Sequence, residues 1–227
     1  MPASEDMKRV AGEYAVQFVQ PGSVIGIGTG STVYYFIHAL AKKVKEGLRI
    51  KAVVTSQQSG KLASGLGIDI TDLNEVDRIA ITIDGADEAD ENLQLIKGGG
   101  GALLQEKMVA AASDKLIIIA DEHKYMKQLG GFPLPVEVIP YGWKQTLKHI
   151  SALSQIEIVL RVKDDKPFIT DHGHYILDCH FGSIENASAL STQLNNIPGV
   201  VENGLFINMA DKVILGKSDG SIQAIIK

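Results

Sequence analysis

Short β-branched runs alternate with helical segments through the first half of this chain, and the runs end in small or polar residues. The run Val24–Ile27 shows the pattern. It stops at Gly28-Thr29-Gly30-Ser31-Thr32, and a helical pattern begins at once over 33–45. Further strand patterns fall at 50–55, 68–70, 79–83 and 116–120, with helical patterns at 57–64 and 101–112. Parallel strands need a crossover, usually a helix, and strands buried on both faces read as unbroken apolar runs. The succession therefore predicts a mostly parallel sheet covered by helices on both faces. A preceding helix is expected from a Ser4 cap to about Val19, with Glu5 and Asp6 where the helix dipole favours acid. Its apolar face is read as Val10, Tyr14 and Phe18, and Pro21-Gly22 ends it.

The pattern changes near Gly130-Gly131-Phe132-Pro133-Leu134-Pro135. Strands are expected at 136–139, 156–162, 168–170 and 175–178, and helices at 144–153 and 184–195. Asp171-His172-Gly173-His174 has the composition of a turn joining the last two of these strands. Residues 131–204 thus read as a small α+β unit with antiparallel pairing. Apolar strands at 205–209, 213–215 and 222–226 are expected to return to the first sheet, which makes one unit of 1–130 with 205–227.

Composition narrows the function classes. The 227 residues carry a net charge of −5, and aromatics make up 6%. Nucleic-acid binding needs a positive surface and stacking platforms among basic runs, so it is not expected here. The one cysteine, Cys179, precludes an internal disulfide and fits a reducing compartment. The start MPASEDMKRV lacks the basic-then-apolar pattern of a secretory signal, and no apolar run reaches membrane-spanning length. A soluble, cytoplasmic protein with no membrane partner is expected.

Three stretches carry chemistry. In GIGTGSTV at 26–33, a strand turns through glycines and hydroxyls into a helix N-terminus. Backbone N–H groups, hydroxyls and the helix dipole suit an anion, so Thr29, Gly30, Ser31 and Thr32 are read as a cradle for one phosphate. No Gly-Lys-Ser/Thr closes a Walker loop, and Ser31 stands where a dinucleotide fingerprint has its third glycine. In DGADE at 84–88, a strand runs straight into Asp84, Gly85, Ala86 and Asp87. Ligands in open α/β sheets bind beyond the carboxyl ends of strands, which is where these two carboxylates fall. Glu88, Asp90 and Glu91 read as a solvated acidic loop, and no metal-ligand spacing is seen.

The third stretch is KGGGGALLQEK at 97–107. Lys97 precedes Gly98, Gly99, Gly100 and Gly101. Glu106 lies in the following helix, with Leu103 and Val109 three residues away on either side. A carboxylate on a partly apolar face is desolvated, and its pKa rises toward that of a general base. Lys107 is turned away by about 100° and need not neutralise it. Taken alone, a surface Glu106 paired with a lysine beside a flexible connection would be the better reading. His172 and His174 fall in a turn. His38, His123, His149 and His180 have no ligand spacing, and Cys179 reads as core. Ser31 is not in a nucleophile elbow, which disfavours Ser-His-Asp hydrolysis.

In this order and at these spacings, the three stretches resemble those of ribose-5-phosphate isomerases of the A type. Ala120-Asp121-Glu122-His123-Lys124, FPLPVEVIP at 132–140 and IPGVV at 197–201 extend the resemblance over essentially the whole chain. Gly101 departs from it, where alanine is more usual. The resemblance implies a Rossmann-like, mostly parallel sheet domain with a smaller ferredoxin-like α+β domain, in a homodimer or homotetramer. It implies interconversion of D-ribose 5-phosphate and D-ribulose 5-phosphate in the non-oxidative pentose phosphate pathway, with no cofactor and no metal. By position, 29–32, 84–87, 97–100 and Lys124 bind the sugar phosphate. Glu106 is the proton acceptor, assisted by Asp84, Asp87 and Lys97, and Lys8 is read as a further phosphate contact. Other readings stay open at this point: another sugar-phosphate isomerase or an acyl-CoA transferase on a similar scaffold, and a sugar-phosphate-binding regulator.

Overall fold

A computed structural model of the chain describes residues 4–226. The first half comprises α1 (Ser4–Ala15), β1 (Val24–Ile27), α2 (Ser31–Lys45), β2 (Lys51–Val54), α3 (Gln57–Gly65), β3 (Ile81–Asp84), β4 (Glu88–Ala89), β5 (Leu95–Ile96), α4 (Leu103–Ala111) and β6 (Leu116–Asp121). There follow β7 (Leu134–Val138), α5 (Trp143–Ser151), β8 (Glu157–Leu160), β9 (Val162–Lys163), β10 (Lys166–Pro167), β11 (Tyr175–His180) and α6 (Ala187–Asn195). The chain closes with β12 (Val200–Asn203), β13 (Leu205–Phe206), β14 (Lys212–Gly216) and β15 (Ile222–Ile226).

The central sheet has the order β15-β14-β6-β3-β1-β2. Every pairing in it is parallel except that of β14 with β15. β2 lies on one side of β1 and β3 on the other, so the winding reverses there. Such a switch point opens a crevice beyond the carboxyl ends of the two strands. Successive side chains of a strand point to opposite faces. Ile117, Ile119 and Ile214 therefore join Phe36, Ile37 and Leu40 of α2 in one core. Ile118, Ala120, Val213 and Leu215 join Leu95, Phe206 and Ala110 in another.

The structure corrects several details of the sequence reading. α1 buries Met7, Ala11, Gly12 and Ala15, and not the face of Val10, Tyr14 and Phe18. α2 crosses so closely that a Cβ on Gly12 would meet Phe36 N at 2.8 Å, so the small-residue stripe is the one that fits. The expected strand at 68–70 shrinks to one bridge between Ile70 and Ala52 before the chain turns away. β13 does not rejoin the central sheet. It pairs with β5 in a three-stranded strip of order β13-β5-β4, while β14 and β15 do rejoin.

The second sheet is antiparallel, in the order β12-β7-β11-β8. Val136, Val138, Leu177 and Cys179 pack on Ile150 of α5 and Leu194 of α6. The other face carries Pro135 and Ile176 against Gly98 and Gly101. The expected hairpin across 171–174 is not a ladder. The hairpin closes earlier, where β9 pairs with β10 around Asp164 and Asp165. Both aspartates have positive φ, as a two-residue type I′ turn requires, and Asp tolerates that region. β11 is left to pair with β7 and β8.

The acidic run after β3 is not solvated. Glu88 is 2% exposed, and its carboxylate accepts from Gly130 N at 2.7 Å and Phe132 N at 2.6 Å. Asp90 is also buried and accepts from Asn92 N and Gln94 N; Glu91 alone of the three is exposed. Hydrogen bonds to a charged group contribute about 1.5–3 kcal/mol each, so Glu88→Ala is expected to lose about 3 kcal/mol of stability. Thermal unfolding beside the parent chain measures it, and an unchanged Tm would show that this clamp contributes nothing.

Candidate active site

The loop after β1 and the loop after β3 are built as one unit. A Cβ on Gly28 would collide with the Asp84 carboxylate, so only glycine fits there. Asp84 is fully buried, and its Oδ1 accepts from Thr29 N at 3.0 Å and Gly85 N at 2.7 Å. Gly30 adopts φ 118° and launches α2, whose N-terminus has no side-chain cap. Tyr34 N is bonded to Gly30 O. The N–H groups of Ser31, Thr32 and Val33 precede the first intrahelical bond and lie at the positive end of the helix dipole. A helix start of this kind, with uncapped N–H groups behind a glycine turn, is suited to an anion. The Thr29 hydroxyl is turned inward to Thr55 at 2.7 Å and Ser56 at 2.8 Å, and its N–H is taken by Asp84, so Thr29 shapes the loop and leaves the donors to the residues after it.

Lys97 is delivered by the three-stranded strip, where its N donates to Gly204 O at 2.9 Å. Its side chain is 2% exposed. Nζ lies 3.1 Å from Asp84 Oδ2 and 3.1 Å from Glu106 Oε1, and it also donates to Gly85 O. One ammonium therefore serves two buried carboxylates. Burial pulls the Lys97 pKa down, but the attraction of Asp84 and Glu106 outweighs it and the pKa is raised. Glu106 is 4% exposed on α4, on the buried side shared with Leu103 and Val109. Burial is the main cause that pushes its pKa up to about 8; Lys97 opposes this and Asp84 adds to it. Glu106 Oε2 accepts no hydrogen bond among the described residues. Lys107 points away and donates to Glu202 Oε1 at 2.8 Å and Asn203 O at 2.7 Å.

These groups surround a cleft of about 160 Å³ beyond the carboxyl ends of β1, β3 and β6. Thr29, Gly30, Ser31 and Thr32 line it, as do Gly85, Ala86 and Asp87. Lys97, Gly98, Gly99, Gly100 and Glu106 form the facing wall, and Lys8 and Lys124 complete it. Asp84 alone of the expected residues sits behind the wall rather than on it. Asp87 Oδ2 accepts from Gly99 N at 2.7 Å and so ties the second loop to the third. Asp121 lines the cleft as well, a placement that its membership of the 120–124 segment does not by itself predict. Its signal is the one that marked Asp84, a carboxylate at the very end of a buried strand. Gly101 adopts φ 84°, and a Cβ there would collide with the Phe168 ring, so the position where the resemblance leads one to expect alanine fits only glycine in this chain. His174 is not merely a turn residue: its Nδ1 lies 2.9 Å from Glu137 Oε1. Cys179 is core, and burial pushes its thiol up to about 12.

An anion cradle at a sheet switch point, facing a buried carboxylate–ammonium–carboxylate set, defines an acid–base enzyme for small phosphorylated substrates. Residues 51–220 match the ribose 5-phosphate isomerase A (phosphoriboisomerase A) family. Over 216 residues the chain is 55% identical to the ribose-5-phosphate isomerase A of Bacillus mycoides, covering 95% of this chain and 97% of that one. It is similar to a solved D-ribose-5-phosphate isomerase in complex with phospho-erythronic acid, with TM-score 0.95, 41% identity and 99% of each chain covered. It is likewise similar to the ribose 5 phosphate isomerase A of Neisseria gonorrhoeae, with TM-score 0.93, 43% identity, and 100% of this chain and 98% of that one covered. The chain belongs to the ribose-5-phosphate isomerase A family and is an aldose–ketose isomerase.

Proposed function

We propose that the interconversion of D-ribose 5-phosphate and D-ribulose 5-phosphate runs here through a cis-enediolate, with Glu106 as the general base. The observation that carries this reading is the state of Glu106. It is nearly buried at the cleft, shares Lys97 with Asp84, and keeps Oε2 without a partner among the described residues. From the open-chain aldose, Oε2 takes the C2 proton. The electrons of that C–H bond form the C1=C2 double bond, and charge develops on O1. Lys97 stabilises that charge from a fixed position. The O2 proton then passes to O1, and Glu106 returns its proton to C1 to give the ketose. Asp87 lines the cleft and suits the transfer between O1 and O2. Asp84 has Oδ1 doubly bonded and Oδ2 paired with Lys97, which suits it to hold the cation and the loop in place.

The phosphate would sit on the first N–H groups of α2, with Lys8 and Lys124 as added cations. Holding the non-reacting end there orients C1 and C2 over Glu106. The phospho-erythronic acid held by a related isomerase supports this, since a phosphate and a short oxygen-rich chain match the two ends of the cleft. We further propose the two-unit division, 1–130 with 205–227 and 131–204, supported by the separate sheets and cores. A homodimer or homotetramer is supported by exposed Tyr141, Val162 and Ile169, which a second copy would cover. A cytoplasmic location fits the free, buried Cys179, and no described helix is long and apolar enough to cross a membrane.

A coupled assay with ribose 5-phosphate across pH tests the proposal. Glu106 accepts a proton only when ionised, and its pKa is about 8. kcat/KM is therefore expected to fall steadily as pH is lowered below that value. A profile flat through the neutral range would remove Glu106 from the role.

A further inference from the structure

We infer that Arg161 is a positioning residue for the isomerisation: from the small antiparallel sheet it fixes the backbone of the glycine loop at 98–101. The inference rests on the reading that this loop and Lys97 meet the sugar oxygens. Arg161 follows β8, and its own backbone is locked. Its N donates to Ile176 O at 2.8 Å, and its O accepts from Phe168 N at 2.9 Å. Its side chain is 14% exposed and reaches across to the loop. Nη1 donates to Gly98 O at 2.8 Å and to Gly99 O at 3.1 Å. Nε and Nη2 form a two-point pair with Asp178, Nε lying 2.9 Å from Oδ2. The guanidinium is a rigid planar fork, so Asp178 sets the plane in which Nη1 points. The Phe168 ring lies 5.9 Å from the guanidinium carbon and packs on Gly101.

The loop has no side chains with which to hold itself, and glycine has the most conformational freedom to lose. It is held instead from two sides. Asp87 takes the Gly99 N–H on the cleft side, and Arg161 takes the Gly98 and Gly99 carbonyls on the far side. Arg161 does not line the cleft. Its effect is to keep two carbonyl oxygens turned away from the developing negative charge, so that Lys97 faces it unopposed. A loop free to turn a peptide over would present a carbonyl oxygen there instead.

The test compares Arg161→Ala, Arg161→Lys, Asp178→Asn and Glu106→Gln in the coupled assay. Displacements of about 1 Å around a reacting centre cost up to a hundredfold, so Arg161→Ala is expected to lower kcat about tenfold to a hundredfold. Competitive inhibition by inorganic phosphate should stay at the parent value, because the cradle at 29–32 stands on other elements. Millimolar guanidinium, far below denaturing levels, should restore kcat in Arg161→Ala and leave the parent chain unchanged. Arg161→Lys should stay impaired, because a point charge cannot bridge both carbonyls and Asp178. Parent-like kcat in Arg161→Ala overturns the inference, and so does a loss shared equally by phosphate inhibition and unmoved by guanidinium. Should Arg161→Ala not fold, Asp178→Asn decides: a severalfold loss of kcat with phosphate inhibition intact supports the inference, and parent-like kcat overturns it. The underlying reading of the site fails separately, if Glu106→Gln turns over normally.

Discussion

Glu106→Gln is expected to abolish nearly all turnover and, at the same time, to make the protein more stable. A positioned general base contributes about 10²–10⁴ in rate, so kcat should fall about a thousandfold while ribose 5-phosphate still binds through the cradle. The stability gain follows from burial. The ordinary carboxyl value is 4.5, and in the folded protein Glu106 is pushed up to about 8. Between those values the unfolded chain has released a proton that the folded chain keeps. Stability therefore falls as pH rises through this window, and the full penalty is present above about 8. The window corresponds to at most about 5 kcal/mol. Glutamine keeps an oxygen for the Lys97 ammonium and has no charge to bury, so the penalty disappears. Thermal melts of both proteins across pH should converge near the unfolded carboxyl value and separate above it. Retained activity would remove Glu106 as the base, and coincident melts at alkaline pH would remove the buried-charge account.

Lys97→Met should lose both activity and stability. Its ammonium is the counter-ion that Asp84 and Glu106 share at 3.1 Å each, inside a nearly closed site. Removing one partner of a buried ion pair costs about 3–5 kcal/mol, because an uncompensated charge stays behind. Loss of the fixed cation facing the enediolate should lower kcat by a further factor of about 10²–10³ relative to the parent. The pH dependence has a clear sign. Without the cation that opposes its upward shift, Glu106 keeps its proton to higher pH, so the loss of stability should be small in acid and grow as pH rises. Lys97→Met/Glu106→Gln should then recover part of the stability but none of the activity, since contacting residues couple. Were Lys97→Met as stable as the parent at alkaline pH, Lys97 would not be the counter-ion that the geometry makes it.

Much of the site was legible in the chain because its parts are local. The cradle is a strand, a glycine turn and a helix start in one stretch, and Glu106 stands between Leu103 and Val109 within a few residues. The flanking apolar residues predicted its desolvation, and the buried side of α4 carries all three. Other features had no local signal. Glu88 and Glu91 look alike in sequence, yet one is clamped by Gly130 and Phe132 and the other is exposed. α1 buries its smaller stripe because α2 comes close, a fact about two helices that the pattern of one does not contain. The hairpin at Asp164-Asp165 depended on turn chemistry that competed with a more obvious His-Gly turn.

The sequence by itself determined the succession of strands and helices and the three loops that line the cleft. Side-chain period and turn residues are properties of neighbours along the chain. Only the tertiary structure decided that Asp84 stands behind the wall, that one lysine serves two carboxylates, and that Arg161 reaches the glycine loop. Arg161 and Gly98 are 63 residues apart in sequence, and their 2.8 Å hydrogen bond exists only because the small sheet is laid against that loop. Burial and charge pairing, which set what Glu106 and Lys97 can do, are likewise fixed by distant segments brought together.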